Sequence, residues 1–272
     1  MKKFLNSLIS DLNKIIVGYG FIASVVFVFL LCFTSVIYRD ILNGKEYTVI
    51  EILLSEKNFT NMEFSSQSIL YTSVSPYITI FLPILSSIPF VTTLCAERSG
   101  GNIRFIITRT GKMVYCISKF LSALLSGMLS VMLGFVLYST AICISFEHNT
   151  SISELMKMYT GIAFYGAVSV LPAILLSAFI KNKYIVCCFP FIFMHFYYTT
   201  IAKIQDYFIS KQMGLTVAKM GFLYPDMLKN ILLDYNNVEK LHEYTVIYYS
   251  LLTIFTFIGF VVIMNRRFDY GQ

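Results

Sequence analysis

The chain has 272 residues, of which 57% are hydrophobic and only 13% are charged, and its formal net charge is +6. Soluble domains average roughly 25% charged residues, so this composition excludes an ordinary soluble globule and predicts an all-α polytopic membrane protein. A basic excess also suits nucleic acid, but in a membrane chain we attribute it to the positive-inside rule and predict no nucleic-acid partner.

The first fifteen residues have the pattern of an amphipathic helix. Apolar residues recur at helical spacing from Phe4 to Ile16, and polar residues such as Asn6 and Asp11 fill the opposite face. A cleavable signal peptide would instead have a purely apolar centre and a small-residue cleavage site. We therefore predict an interfacial helix over residues 1–15 that lies flat on the membrane before the first span.

Six segments are long and apolar enough to cross about 30 Å of hydrocarbon. In chain order they cover residues 16–38, 74–95, 116–146, 159–180, 184–202 and 244–264. On the side that holds both termini, the segments between spans carry twelve Lys and Arg against three acids, a net charge of +9; the remaining nine bases and twelve acids give −3. The positive-inside rule then places both termini in the cytoplasm.

Residues 203–243, on the predicted outer side, mix charged residues with apolar clusters such as Met220–Pro225. This stretch is too short and too charged to cross the membrane. Two interpretations remain open, a folded external hairpin and a region that re-enters the membrane as short helices.

Residues that could perform chemistry are scarce in the predicted spans. No Asp or Glu lies in the middle of a span, although ion-coupled transporters and intramembrane enzymes usually need such groups. The six cysteines include no C-x-x-C pair and none lies in a predicted outer loop, so we predict neither disulfides nor a metal site. We predict no enzymatic activity for this chain, and any transport must draw its energy from a partner.

The third span carries a stripe of small residues spaced four apart. Its members are Ser118, Ser122, Ser126, Ser130 and Gly134. Steps of four keep them on one slowly drifting helix face, where small residues allow another helix to approach and hydroxyl groups can bond across the contact. The pattern favours helix packing; a polar stripe facing a transport path is the alternative.

The fifth span is rich in aromatic residues. Pro190 predicts a kink, and Phe193, His195, Tyr197 and Tyr198 crowd the outer half of the helix beyond it. Such a wall suits a substrate path for apolar or amphipathic cargo, and it equally suits packing against lipid and other helices. His195 either bonds to a neighbouring helix or lines a polar path.

Residues 96–115, between the second and third spans, form the compact cytoplasmic segment with the greatest polarity. It begins Glu97-Arg98-Ser99-Gly100-Gly101-Asn102-Ile103-Arg104 and continues to Arg109 and Lys112. A membrane protein with few charges in its spans needs a soluble surface to receive energy or instruction. We predict that this coupling segment is that surface.

The motif Glu97-x-x-Gly100-Gly101, followed by Arg109-x-x-Lys112 and Ser118-Lys119, resembles the same connection in ABC-2 type permeases. These are the membrane subunits of a class of ATP-binding-cassette transporters. The resemblance implies that residues 97–108 form a coupling helix that docks onto a cytoplasmic ATPase. In it, Glu97 and Arg104 would make polar contacts, and the two glycines would allow close packing or a bend. The implied coupling residues are Glu97, Arg98, Gly100, Gly101, Asn102, Arg104 and Arg109.

The resemblance also implies the assembly. Residues 1–272 would be one transmembrane permease domain of the bacterial plasma membrane, surrounded by lipid, that binds no cofactor itself. Two copies of a separate ATPase would bind ATP and Mg, and a second permease chain, identical or different, would complete the path. The implied function is ATP-driven export of an amphipathic substrate, above all toxin or antimicrobial peptides. Drugs or lipid-linked glycans are alternative cargoes, and a non-transporting sensor that signals through a partner is the alternative function.

Overall fold

The computed structural model of the chain describes residues 2–39, 46–54, 69–70, 76–101, 103–146, 151–211, 220–228 and 239–269. The α-helices of these ranges are α1 Lys2–Ile16, α2 Tyr19–Phe33, α3 Val49–Leu54, α4 Pro76–Ser99, α5 Ile103–Thr110, α6 Lys112–Ser145, α7 Ile152–Ser169, α8 Leu171–Phe179, α9 Lys183–Ser210 and α10 Glu239–Asp269. Two 3₁₀ turns, Met220–Leu223 and Pro225–Leu228, lie between α9 and α10.

Five of the described helical stretches are long and apolar enough to cross a membrane. They are Ile80–Ser99, Lys112–Ser145, Ile152–Phe179, Lys183–Ser210 and Glu243–Arg266. Helices α1 and α2 pass the same test only as a pair, with a bend of 59° between them, which brings the total to as many as six. The prediction of a helical protein with long apolar helices is therefore confirmed, and this is the architecture that a membrane protein requires.

One short antiparallel strand pair departs from the all-α expectation. Strand β1, Val36–Arg39, follows α2 and pairs with β2, Glu46–Thr48, so that Val36 faces Thr48. The pair leads directly into α3, whose Val49 and Ile52 are buried against the helical bundle. The strands thus return the chain to the bundle after α2.

Helix α6 is the central helix of the bundle and packs against α1, α2, α4 and α7. Two glycines allow its closest contacts. A Cβ atom on Gly134 would lie 2.6 Å from Val28 of α2, and one on Gly127 would lie 3.1 Å from the carbonyl oxygen of Gly166 in α7. Because the helix backbones approach so closely at these points, larger side chains cannot be accommodated there without movement.

Proline shapes two of the predicted spans. Pro89 lies inside α4 and has no N–H to donate to the carbonyl of Leu85 one turn earlier. The buried Ser24 hydroxyl of α2 donates to that carbonyl at 2.6 Å, so a neighbouring helix satisfies the freed acceptor. In the fourth predicted span, residues 159–180, the helix is divided at Val170, and Pro172 lies in the first turn of α8.

Two buried apolar clusters follow one another along the bundle. The first includes Ile15, Phe90 and Phe120 and lies at the end of the bundle that holds α1 and α5, which we call the α5 end. The second includes Phe135 and Tyr138 and lies toward the opposite end. The coupling segment predicted from the sequence therefore rests on a packed core.

Candidate functional site

Helix α5 is a short helix between two sharp bends in the coupling segment. Gly101 precedes it with φ of +71°, and Gly111 follows it with φ of +91°. Residues other than glycine rarely adopt positive φ angles of this kind, so glycine is the residue that fits both bends. A Cβ atom on either glycine would meet no atom within 4 Å. Of the two roles expected for Gly101, the geometry shows the bend and not close packing.

The two faces of α5 differ in what they contact. Ile103, Ile106 and Ile107 pack against the first apolar cluster. On the other face, Phe105 is 73% exposed and Arg109 is exposed. A large apolar side chain beside a cation on the outward face of a packed helix is a typical composition for a protein-binding surface.

A cluster of charged side chains, three of them largely buried, joins α1 to α4 and α6, the helices that precede and follow α5 in the chain. The Lys119 ammonium of α6 is 2.8 Å from Oδ1 of Asp11 in α1 and 2.6 Å from Oε2 of Glu97 in α4. The Ser118 hydroxyl donates a hydrogen bond to the same Asp11, and Lys14 contacts Glu97 at 3.3 Å from a more exposed position. We call Asp11, Lys14, Glu97 and Lys119 the ion cluster; it ties α1, α4 and α6 together with balanced charge.

The ion cluster changes the interpretation of Glu97. The side chain was expected to contact a partner, yet only 12% of it is exposed and both carboxylate oxygens face lysines of the same chain. The resemblance could not indicate Asp11, which is the acid of the ion cluster on α1. Asp11 could have been found from its spacing in the sequence. It lies one helical turn before Ile15, which is buried, so both residues are on the face of α1 that packs inward.

Arg98 also faces inward. It is buried, and its guanidinium donates to the carbonyl oxygens of Ser177 and Ile180 at the end of α8. Carbonyls in the last turn of a helix have no partner within the helix, so Arg98 supplies the missing donors. Of the remaining coupling candidates, Gly100 ends α4 with an N–H bond to Ala96, and Arg104 is part of α5. Asn102 lies outside the described residues.

All five residues of the small-residue stripe are buried within the bundle. The Ser118 hydroxyl bonds across a helix contact to Asp11. Ser122, Ser126 and Ser130 instead donate to carbonyls one turn earlier in α6 itself. The small residues of the stripe therefore allow neighbouring helices to pack closely against α6. The hydrogen bond from Ser118 to α1 lies at the α5 end of the stripe.

The four aromatic candidates of α9 are divided between two surfaces. Phe193 and Tyr197, one helical turn apart, line a cavity of about 260 Å³ together with residues of α8 and α10. His195 is exposed on a different face of α9, because two residues along a helix correspond to a rotation of about 200°. Tyr198 packs its ring against Tyr224 at 5.7 Å between centroids. The structure thus groups Phe193 with Tyr197 and separates both from His195.

The two 3₁₀ turns pack back onto the helices at the end opposite α5. The hydroxyl groups of Tyr197 and Tyr249 both donate to the carbonyl oxygen of Leu223, at 2.8 and 2.6 Å. Tyr224 donates to Gln205 at 2.8 Å, and Leu228 is buried among α7 and α10 side chains. At about 1.5 Å per residue, Tyr197 lies about 21 Å from the start of α9. Residues 220–228 therefore cover the cavity at that depth.

No protein-family model matches the chain, and the search of curated proteins finds no match either. In the part of the chain that the structure describes, no group of His, Cys, Asp or Glu side chains is arranged to hold a metal ion. What the molecule offers is a braced surface helix at one end and apolar cavities between the membrane-length helices.

Proposed function

We propose that this chain is the transmembrane permease subunit of an ATP-binding-cassette exporter in the bacterial plasma membrane. In this proposal the chain has six spans, α1 lies at the membrane interface, and both termini are cytoplasmic. The observation that carries the proposal is α5: a helix bounded by two glycine bends, presenting Phe105 and Arg109 outward, and braced through its neighbours α4 and α6, which the ion cluster joins.

The bracing supports a coupling role because it gives α5 a firm mechanical connection. A docking helix on a mobile loop would absorb the movement of its partner. Here α5 packs on the first apolar cluster, and the segments on both sides of it, α4 and α6, are joined by Lys119 and Glu97. Movement imposed on α5 would pass to α4 and α6, its neighbours in the chain, and the ion cluster joins both of these helices to α1 through contacts of 2.6 to 3.3 Å.

The partner supplies the energy in this proposal. The sequence contains no Gly-x-x-x-x-Gly-Lys-Ser/Thr motif, so ATP and Mg would be bound by two copies of a separate ATPase. Within one chain, only 22% of the most apolar stretch of α9, and the same share of α10, is buried. Faces left open to this extent suit contact with lipid and with a second permease chain, which we take to be identical.

The proposed cargo is an amphipathic molecule, and toxin or antimicrobial peptides are the class we favour. The cavity lined by Phe193 and Tyr197 supports this because it is almost wholly apolar and is covered by residues 220–228. At the depth estimated for Tyr197, that cover would lie within the outer third of a hydrocarbon core of about 30 Å, which favours the re-entrant interpretation of this stretch.

Co-purification tests the docking surface. We expect an ATP-binding-cassette ATPase to co-purify in detergent with the intact chain, and Phe105→Ala to reduce the amount recovered at least about tenfold, as truncation of an interface anchor commonly does. The matched control is Phe255→Ala, which truncates a phenylalanine that is 79% exposed on a different helix, α10. Circular dichroism of both variants would establish that each is folded.

Recovery of the ATPase with Phe105→Ala at the level of the intact chain would refute α5 as the docking surface. Absence of any ATPase from the intact, folded chain would refute the permease proposal. A third result separates the sensor alternative: an ATPase whose hydrolysis responds to an external ligand, with no cargo crossing reconstituted vesicles, would show signalling in place of export.

A further inference from the structure

A second cavity, distinct from the one lined by Phe193, lies between α10 and the pair α6 and α7. Its volume is about 740 Å³, and it opens on the outer surface of the bundle beside half-exposed Phe164 and Ile254. Along α10 its lining runs from Glu243 to Ile254, about 16 Å at the helical rise. Leu228 and Tyr249 contribute to the lining at the end of the cavity under the 3₁₀ turns. We call this space the lateral groove.

The polar residues that line the lateral groove are Glu243, Tyr249, Ser250 and Thr253, and two of these four have their hydroxyl groups engaged. The Tyr249 hydroxyl donates to Leu223, and the Thr253 hydroxyl donates to the carbonyl of Tyr249. Glu243 is the one carboxylate in the lining, and no Lys or Arg of the described residues lines it. Apart from Ser250, the remaining walls are leucine, valine, methionine, phenylalanine, isoleucine and alanine side chains. The groove thus combines a long apolar wall with a single negative charge at its outer rim.

From this charge pattern we propose that the lateral groove binds a cationic amphiphile. The apolar part of the ligand would lie along α6, α7 and α10, and its cationic head would sit at Glu243. A carboxylate beside an apolar cavity selects for positive charge on the ligand, because an anionic head would be repelled and a neutral head would gain no ion pair. The volume is within the usual range of about 300–1,000 Å³ for small-molecule sites.

The groove opens sideways, so the ligand would enter from the membrane and not from the water on either side. This inference deepens the proposed function, since it names the class of cargo, and in that respect it rests on the export proposal. The binding step itself needs only this chain. It can therefore be tested in the absence of any ATPase, and its failure can be told apart from failure of the export proposal.

The sequence contains no tryptophan, so one introduced tryptophan is a unique fluorophore. Phe164→Trp places it in the groove, and Phe255→Trp places a matched reporter on the exposed face of α10 outside the groove. The full chain in nanodiscs of phosphatidylcholine would be titrated with terminally brominated undecyltrimethylammonium, whose bromine quenches tryptophan at contact. Brominated undecyl maltoside is the neutral probe of matched chain length.

We expect the cationic probe to quench the Phe164→Trp reporter at concentrations several-fold lower than the Phe255→Trp reporter. Adding Glu243→Gln should weaken that quenching about fivefold, the loss expected for an ion pair near the surface, and leave quenching by the maltoside unchanged. A second variant, Ala167→Phe, fills the groove and should abolish the difference between the two reporters.

Equal quenching of both reporters, or quenching that is indifferent to the charge of the probe, would overturn the proposal and identify the groove as a site filled by ordinary bilayer lipid. Insensitivity to Glu243→Gln would overturn the assignment of the cationic head to that carboxylate. Saturable, Glu243-dependent quenching in a chain that recruits no ATPase would sustain the binding site while refuting the exporter.

Discussion

Replacement of Lys119 by methionine is the sharpest test of the ion cluster. Lys119 is 4% exposed, and its ammonium lies 2.8 Å from Asp11 and 2.6 Å from Glu97. Methionine keeps the length and apolar stem of the side chain but leaves two buried carboxylates about 5 Å apart. At an effective dielectric constant of about 20, two like charges at that separation repel each other by about 3 kcal/mol.

Measured losses on removing one member of a buried ion pair are about 3–5 kcal/mol, in agreement with this repulsion. We therefore expect Lys119→Met to lower the free energy of unfolding by about 3–5 kcal/mol. The assay is unfolding in mixed micelles with increasing dodecyl sulfate, followed by far-ultraviolet circular dichroism. Refolding on dilution would establish that the transition is reversible.

Two further variants make the test specific. Lys14→Met removes the other lysine that contacts Glu97, but that lysine is 52% exposed, so we expect a loss below about 1 kcal/mol. The triple variant Asp11→Asn, Glu97→Gln, Lys119→Met removes all three buried charges and should recover most of the stability lost in Lys119→Met. A triple variant as unstable as the single one, or a Lys119→Met loss within about 1 kcal/mol of zero, would refute the role assigned to the ion cluster.

Three other substitutions test separate parts of the fold by the same unfolding assay or by proteolysis. Arg98→Gln removes charged donors from carbonyls at the end of α8 and should lower the free energy of unfolding by about 1.5–3 kcal/mol, whereas no loss would show that water satisfies them equally well. Gly134→Ala places a Cβ 2.6 Å from Val28 and should cost about 1–3 kcal/mol; unchanged stability would mean that the two helices separate freely. Tyr249→Phe removes a donor to Leu223 and should accelerate trypsin cleavage between α9 and α10, and an unchanged cleavage rate would refute that contact as the anchor.

The long apolar helices could be predicted from the sequence because hydropathy is a local property. The third, fifth and sixth predicted spans correspond to α6, α9 and α10, although α9 continues from residue 202 to Ser210. Pro172 predicts a disturbed helix in the fourth span, but the sequence does not predict that one helix ends and another begins at Val170. The residues around it are apolar on both sides, and Pro172 is equally compatible with a kinked continuous helix and with the start of a new one.

The coupling role of the site stays a prediction, but the bounds and orientation expected for it can be compared with the structure. The coupling helix expected over residues 97–108 is divided: residues 97–99 end α4, and α5 begins at Ile103. The charged segment does form a separate short helix at one end of the bundle, bounded by a glycine that the motif includes. The resemblance, however, implied that Glu97 and Arg98 contact a partner, whereas both side chains face inward. Phe105 was passed over because one aromatic residue carries no motif. Its signal is that Ile103, Ile106 and Ile107 occupy the inward face of α5 and leave Phe105 off it.

The contact between Asp11 and Lys119 has a consequence for biogenesis. The two residues are 108 positions apart, so at about 5–20 residues per second the ribosome delivers Lys119 roughly 5–20 seconds after Asp11. During that interval Asp11 lacks the ammonium beside which it is finally buried, and hydration at the membrane surface is its cheapest state. The helix that is synthesised first can therefore form its buried ion pair only after the part of α6 that carries Lys119 has been synthesised. The ion pair can form only where α1 and the start of α6 lie at the same end of the bundle. A chain in which α6 has the opposite orientation would leave Asp11 without Lys119.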